Sequence, residues 1–272
     1  MNVENQILFL LSKARQIDGK DFFQIFEEMG YTQQSIRNTL SKLKKEKLVE
    51  SPARSVYAIT TAGSASISSY YSRPNFYSKV WDEKWYMVMM EIPEAQRKKR
   101  DIFRRKLMTL GFGALYKSIY IYPWDLTREV IDLIDSLEIE EYITISVIEK
   151  FLLNPIRNSG ARGANEAARI WDLEQSNSTY RQKYDWFKSE FEPQVKIFIS
   201  QKQPNSLQVF IRYLEISETI QEVLSLDPML PPQFLPSDWL GTKVLAAFKE
   251  AQLTLASLIP AQSFYHQFTA QE

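Results

Sequence analysis

The chain has 272 residues, of which 44 % are hydrophobic, and this length predicts two or three domains with their own cores. With no cysteine and a single histidine, His266, it cannot form disulfides, cysteine-ligated zinc sites, thiolate nucleophiles or histidine clusters. The formal net charge is zero, but residues 1–110 carry 19 Lys and Arg against 12 Asp and Glu, whereas residues 111–272 carry 14 against 21. The resulting charges of +7 and −7 favour a protein that binds a polyanion on one side.

The residue usage also argues against enzymatic activity. A Ser-His-Asp triad would need His266 as its base, yet no G-x-S-x-G motif precedes it. No stretch of the sequence approaches the length that spans a membrane. We therefore expect a cytoplasmic protein that does not bind membranes, catalyses no reaction and carries no cofactor.

Residues 1–50 contain three successive patterns with helical periodicity. Asp18 and Gly19 separate the first two helices, and Gly30 stands where a left-handed C-cap would end the second. Thr32 is predicted to cap the third helix. The apolar residues expected to face inward are Ile7, Leu8, Leu11 and Ala14, then Phe22, Ile25, Phe26 and Met29, then Ile36, Leu40 and Leu43.

The opposite face of the third helix carries amide, guanidinium, hydroxyl and ammonium groups on consecutive turns. Arginine can bond guanine through two N–H groups, and asparagine or glutamine can pair with adenine, while lysine and serine more often hold backbone oxygens. Two short helices before a polar-faced third is the order of a helix-turn-helix. The predicted DNA-binding residues of this face are Gln34, Arg37, Asn38, Ser41, Lys44 and Lys45.

The next segment predicts a small wing. Residues 51–54, Ser-Pro-Ala-Arg, supply turn residues, and residues 55–60 form a β-rich run. "YAITTAG" (57–63) resembles the segment at which winged-helix regulators leave the wing and enter a last helix, with Thr60 or Thr61 as its cap. Arg54 is predicted to touch DNA backbone or minor groove. Residues 1–70 are thus predicted to be a winged helix-turn-helix DNA-binding domain.

A simpler interpretation of the lysines stays open. Lys42, Lys44, Lys45 and Lys47 lie near the C-terminus of a helix, where the helix dipole favours cations without any partner. The wing and the amide-bearing face are what favour DNA binding over this solvated helix end.

Residues 71–153 alternate between strand and helix patterns. After a linker-like stretch at 71–80, "KWYMVMMEI" predicts a strand buried on both faces, and Pro93 starts a helix that Gly111 ends. "ALYKSIYIYP" predicts a strand or a split pair, a helix follows from near Asp125, and "YITISVI" predicts a last strand. This order fits a middle ferredoxin-like α/β sandwich.

The first helix of that domain has seven basic residues and one acid between Arg97 and Lys106. Arg97, Arg100 and Arg104 are candidates for a second phosphate-contact patch. Two alternatives are equally open: the helix pairs with the acidic later part of the chain in a homodimer, or it is solvated. Glu91 and Glu94 could hold a divalent ion, although two acids at a strand end are usually solvated and no histidine completes a metal site.

Residues 154–272 are predicted to be a mainly helical C-terminal domain that binds an effector or mediates dimerisation. A polar hinge at 154–165 precedes helical patterns at about 165–192, 205–226 and 242–258. "LDPMLPPQFLPSDWLG", with its four prolines, predicts a rigid extended connection before the last of these. Four aromatic residues line an effector pocket or pack in the core: Trp171, Tyr180, Trp186 and Trp239.

Three segments resemble the PaaX-type family of bacterial repressors that govern phenylacetic-acid catabolism. These are "WYMVMMEIPEAQRKKRDIFRRKLMTLGFGALYKSIYIYP", "RIWDLEQSNSTYRQKYDWF" and "LDPMLPPQFLPSDWLG", in the family's order and across residues 5–262. The resemblance implies a winged helix, a middle domain folded like the small CRISPR-associated endoribonuclease, and a helical C-terminal domain. It also implies a homodimer that binds a palindromic operator in double-stranded DNA and is released by an acyl-CoA or aromatic effector.

The α+β chain is therefore predicted to be a DNA-binding transcriptional regulator, a dimeric repressor released by a small molecule. Two rival hypotheses are a metal-dependent nuclease centred on Glu91 in the middle domain and a protein interaction scaffold in which the charge asymmetry drives pairing.

Overall fold

A computed structural model describes residues 3–71, 76–158 and 166–269. In these ranges the chain is a mixed α+β protein with two small antiparallel sheets. The helices are α1 (Val3–Ala14), α2 (Gly19–Glu28), α3 (Gln33–Lys45), α4 (Thr61–Tyr71), α5 (Arg97–Leu110), α6 (Thr127–Leu137), α7 (Ala167–Ile170), α8 (Leu173–Trp186), α9 (Glu192–Ser200), α10 (Ser206–Leu226) and α11 (Gly241–Ser257). The strands are β1 (Gln16–Asp18), β2 (Val49–Ala53), β3 (Val56–Ile59), β4 (Trp85–Met90), β5 (Gly113–Tyr116), β6 (Ile119–Tyr122) and β7 (Ile143–Ile148).

The chain divides into two compact units that each combine distant segments. The first unit contains Met1–Arg73, Gln182–Leu224 and Lys243–Glu272. The second unit contains Pro74–Arg181 and Ser225–Thr242.

The first three helices form where the apolar periodicity predicts them. Gly30 ends α2 with φ +87°, as a left-handed C-cap requires. Thr32 Oγ1 accepts a hydrogen bond from Ser35 N at 3.2 Å and so caps α3, as predicted. The predicted inward residues of α3 are fully buried, and those of α1 and α2 are buried except for the half-buried Ala14 and Met29.

The sheet of the first unit has the order β1-β3-β2, and β1 was not predicted. Only three residues long, β1 shows no strand periodicity. The prediction of a turn across residues 51–54 is wrong, because residues 51–53 belong to β2 and the turn narrows to Arg54 and Ser55. Pro52 fits there because β2 is an edge strand with a register shift between Glu50 and Ala53, where a missing N–H costs little.

Within the "YAITTAG" motif, Thr60 connects the hairpin to α4, and Gly63 lies in the first turn of that helix. Thr60 Oγ1 accepts from Gly63 N at 3.0 Å, so Thr60 provides the predicted cap. A Cβ on Gly63 would lie 2.1 Å from the carbonyl oxygen of Leu48. A glycine is therefore needed for α4 to approach the chain segment before β2.

From residue 167 to residue 257 the described chain is mainly helical, but it departs from the predicted pattern near Asp172, at residues 187–191 and in α9, which continues to Ser200 beyond the predicted end at 192. The helix predicted at about 165–192 is interrupted where Asp172 has φ +49° and again by a π-helical turn at Phe187–Phe191. The wider turn lies just before Pro193, which offers no N–H to the preceding turn. α10 and α11 follow the predicted bounds within a residue or two.

The second unit contains a four-stranded sheet of order β5-β6-β4-β7 in which all neighbours are antiparallel. The split form of the "ALYKSIYIYP" strand is observed, with the β5–β6 turn at Lys117 and Ser118. α5 ends at Gly111 with φ +110°, as predicted. α6 begins at Thr127, two residues after the predicted start, because the Asp125 carboxylate accepts from Thr127 N at 3.0 Å before the helix.

The proline-rich segment is extended, as predicted, except for one 3-10 turn at Pro232–Phe234. Its Asp227 is fully buried and accepts hydrogen bonds from the hydroxyls of Tyr77 and Tyr180, both at 2.5 Å. Burial, together with the Asp227 carboxylate, raises the pKa of Tyr77 above its usual range. These bonds make the segment part of the core of the second unit.

The predicted linker at residues 71–80 is partly described by the structure, whereas most of the predicted hinge at residues 154–165 is not. Residues 72–75 of the predicted linker lie outside the described residues, but Phe76 is buried and stacks on Trp124 with ring centroids 5.1 Å apart. The linker prediction is therefore wrong at Phe76, because an aromatic ring there completes a core. Most of the predicted hinge, residues 159–165, lies outside the described residues.

Candidate nucleic-acid interface

The six residues predicted to contact DNA from α3 share one exposed side of that helix. The opposite side buries Ile36, Leu40 and Leu43. Arg54 lies apart from them, exposed at the tip of the β2–β3 hairpin. The polar face of α3, as we call this set, consists of Gln34, Arg37, Asn38, Ser41, Lys44 and Lys45.

Hydrogen bonds between residues one helical turn apart link the side chains of the polar face of α3. Gln34 Nε2 donates to Asn38 Oδ1 at 2.9 Å, and Ser41 Oγ donates to the carbonyl oxygen of Arg37 at 2.8 Å. Arg37 Nη2 donates to Gln33 Oε1 at 3.2 Å. Each side chain keeps further donors or acceptors for a partner, since an amide and a guanidinium have several.

Two cations of the polar face lie over aromatic rings that the sequence interpretation missed. The Arg37 Cζ atom is 5.3 Å from the centroid of Phe23, and Lys44 Nζ is 5.1 Å from the centroid of Tyr57. Phe23 belongs to α2 but lies outside its inward stripe. An aromatic residue on the otherwise polar side of α2 was the signal that could have indicated this contact.

The lysines at the end of α3 do not form one uniform solvated set. Lys42 Nζ is 2.5 Å from the carboxylate of Glu4 in α1, and this hydrogen bond raises the pKa of Lys42. Within the described ranges, neither Lys44 nor Lys45 has a carboxylate within ion-pair distance. Of the lysines at the end of α3, Lys42 alone has its charge balanced by a carboxylate in the described part of the chain.

The second predicted patch on α5 is partly neutralised by a carboxylate. Arg100 Nη1 lies 3.0 Å from Glu94 Oε2, and Arg97 Nη1 lies 3.7 Å from Glu94 Oε1. Arg97 also lies 3.7 Å from Asp101. Arg104 is exposed and forms no ion pair in the described part of the chain.

These pairs bear on the metal-site hypothesis as well. The Glu94 carboxylate faces two guanidinium groups, which compete with a divalent cation for its oxygens. In residues 3–71, 76–158 and 166–269, no group of three or more His, Cys, Asp or Glu side chains is placed to hold a metal ion.

The four aromatic residues considered for an effector pocket are each engaged in packing. Trp171 stacks on Trp85 and donates its Nε1–H to Gly111 O at 2.8 Å. Trp239 Nε1 donates to the Tyr77 hydroxyl at 2.9 Å, and Tyr180 bonds Asp227. The Trp186 ring lies 5.2 Å from that of Phe191. These contacts support the core-packing interpretation.

None of the helices in the described ranges combines the length and the apolar character needed to cross a bilayer.

Comparison with known proteins agrees with the sequence resemblance. A family model described as the PaaX protein central Cas2-like domain matches residues 78–158, and one described as the PaaX-like protein C-terminal domain matches residues 171–267. The transcriptional repressor PaaX of Escherichia coli (strain K12) is 24 % identical over 225 residues, which cover 80 % of this chain and 67 % of the relative. A solved structure, the uncharacterized protein Rv0674 from Mycobacterium tuberculosis, has a TM-score of 0.56 at 16 % identity over 89 % of each chain and shares the fold. The two domain matches and the curated relative together show that this chain belongs to the PaaX-type family.

Proposed function

We propose that this protein is a DNA-binding transcriptional repressor in which α3 enters the major groove. The observation that carries the proposal is the exposed polar face of α3, which lies opposite the buried Ile36, Leu40 and Leu43. Arginine and amide side chains on such a face match the hydrogen-bonding groups of base edges. The E. coli relative is named a transcriptional repressor, which supports the same role.

A winged helix-turn-helix in residues 1–70 would present that face. The order α1-α2-α3 followed by the β2–β3 hairpin supports this arrangement, since the third helix then precedes the wing. Arg54 lies at the tip of the hairpin and is exposed. We assign it a contact with the DNA backbone or minor groove beside the major groove that α3 enters.

The segment 71–153 acts in this proposal as a ferredoxin-like middle domain, and 154–272 as the C-terminal domain. The strand order β5-β6-β4-β7, with a helix after the first and third strands, supports the ferredoxin-like assignment. In the second phosphate-contact patch, on α5, Arg104 is the residue that is available to bind phosphate. Arg97 and Arg100 would first have to leave Glu94.

The repressor acts as a homodimer on a palindromic operator in double-stranded DNA. Two copies of α3 related by a two-fold axis would meet half-sites about 34 Å apart, or a multiple of this distance. An acyl-CoA or aromatic small molecule releases the protein from its operator, as the family resemblance implies.

The test uses the full-length chain and a duplex that it enriches from a random-sequence DNA library. Arg37→Ala should bind this duplex less tightly by about 1–3 kcal/mol, or about 5- to 150-fold, if the guanidinium bonds a guanine. Lys42→Ala serves as the control, because Lys42 is engaged by Glu4. If the wild-type chain enriches no sequence and binds no duplex in dilute buffer, the proposed function is wrong.

A further inference from the structure

Two aromatic residues outside the polar face of α3 form a support beneath it. The ring of Phe23 in α2 meets the ring of Tyr57 in β3 edge-on, with centroids 6.3 Å apart. Both rings also contact Phe22, which is fully buried. We name Phe23 and Tyr57 the aromatic shelf, and its contact with Phe22 attaches it to the core.

The aromatic shelf carries one cation on each ring. Arg37 lies over Phe23 at 5.3 Å and Lys44 over Tyr57 at 5.1 Å, both measured to the ring centroid. The two cations are seven residues apart, which places their Cα atoms about 10.5 Å apart along the helix axis. The shelf therefore holds both ends of a two-turn stretch of α3.

A ring holds a cation differently from a carboxylate. The attraction comes from the quadrupole of the π-system, so the positive charge is not cancelled. Lys42 shows the contrast, because its ammonium group is paired with the carboxylate of Glu4. Arg37 and Lys44 keep a full charge toward an approaching polyanion while their directions are restricted.

A second set of contacts restricts Arg37 from the side of α2. Gln33 Oε1 accepts from Arg37 Nη2 at 3.2 Å, and Gln33 Nε2 donates to Glu27 Oε1 at 2.7 Å. A guanidinium held in this way loses less conformational freedom on binding than one that is free in water.

We propose that Phe23 and Tyr57 are positioning residues that set the directions of Arg37 and Lys44 for DNA recognition without contacting DNA themselves. This inference rests on the proposed function. Loss of the Phe23 ring should weaken binding to the enriched duplex about two- to fivefold, the range expected for an exposed cation–π contact. Binding to an unselected random-sequence duplex should change less, because phosphate contacts tolerate a wider range of side-chain directions than bidentate base contacts.

The experiment measures the affinity of the full-length chain for the enriched duplex and for a random-sequence duplex by fluorescence anisotropy. The variants are Phe23→Leu, Phe23→Tyr, Arg37→Ala and the double variant Phe23→Leu/Arg37→Ala. Phe23→Tyr keeps the ring and should retain wild-type selectivity. Phe198→Leu is the matched control, since Phe198 is also half-buried in the first unit but, within the described residues, no cation lies over its ring.

A positioning role predicts that Phe23→Leu has no further effect once Arg37 is Ala. Additive effects of the two substitutions would overturn the inference. The inference would also be wrong if Phe23→Leu left the ratio of the affinities for the enriched and random-sequence duplexes unchanged, because a purely structural defect lowers both affinities in parallel. Urea unfolding of each variant identifies such a defect. If wild type binds the enriched duplex selectively and Phe23→Leu binds it equally well, the positioning role of the aromatic shelf is wrong but the proposed function stands. If wild type binds no DNA, both proposals are wrong.

Discussion

Two lysines three residues apart on α3 give a direct test of how the helix meets DNA. Lys45 belongs to the exposed polar face, whereas Lys42 is bound to Glu4 of α1. The substitutions Lys45→Ala and Lys42→Ala remove the same charge from the same helix. Of these two variants, we expect only Lys45→Ala to change the salt dependence of DNA binding, because under the proposed function Lys45 faces the phosphates whereas Lys42 is paired with Glu4.

The expected size follows from counterion release. Each neutralised phosphate adds about 0.9 to the slope of log affinity against log salt concentration. Between 50 and 200 mM salt, the loss of one contact should therefore reduce the fall in affinity by a factor of about 3.5. The defect of Lys45→Ala should be about 3.5 times larger at 50 mM than at 200 mM salt, whereas Lys42→Ala should keep the wild-type slope.

The assay is a titration of the enriched duplex with each full-length variant at four or more salt concentrations. Thermal unfolding of both variants checks that the loss of the Lys42–Glu4 contact has not unfolded α1. Equal slopes for the two variants, or a reduced slope for Lys42→Ala alone, would refute the assignment of these lysines to different surroundings.

Three further predictions concern other parts of the chain. If α5 touches phosphate, Arg104→Glu should reduce the slope of log affinity against log salt concentration. Arg97→Glu should reduce this slope less, because Arg97 already faces Glu94 and Asp101. Equal slopes for the two variants would contradict this prediction. Gly63→Ala should lower the free energy of unfolding by about 1–3 kcal/mol in urea titrations, because its Cβ would lie 2.1 Å from Leu48 O. Burial raises the pKa of Tyr77, so the stability that its protonated hydroxyl provides is complete below the usual tyrosine pKa and falls as the pH rises above it. Urea unfolding between pH 9 and 11 should therefore show a weaker alkaline loss for Tyr77→Phe than for wild type, and an unchanged loss would count against this role for Tyr77.

The features that the sequence predicts correctly are those decided by a few neighbouring residues. Gly30 and Gly111 end their helices because a positive φ is easiest for glycine, and the Thr32 cap depends on a residue three positions away. The α3 core positions follow from periodicity alone. The family resemblance was also predictable, because its motifs are continuous in sequence.

The features that were missed depend on residues distant in the chain. β1 has three residues and exists because β3, some forty positions later, pairs with it. Phe76 falls in a polar stretch, yet its ring completes a core with Trp124. Lys42 contacts Glu4 of α1, and Arg37 contacts Phe23 of α2. The helical periodicity of α3 shows which side of the helix a residue occupies, but it does not show which residue of another helix packs against that side.

That last distinction bears on whether α3 is a recognition helix, as we propose, or an ordinary solvated one. Both would carry exposed lysines and arginines, so exposure and charge alone do not separate them. A ring contact alone does not imply a partner, since Lys243 also lies over the ring of Tyr184 at 5.0 Å, so the proposal rests on two such cations that share one polar face and keep their charges uncancelled. Arg37 and Lys44 are in that condition over Phe23 and Tyr57, whereas Lys42, at the flank of the same helix, has its charge balanced by Glu4. The difference in how these cations are held, rather than their number, is what favours a polyanionic partner for α3.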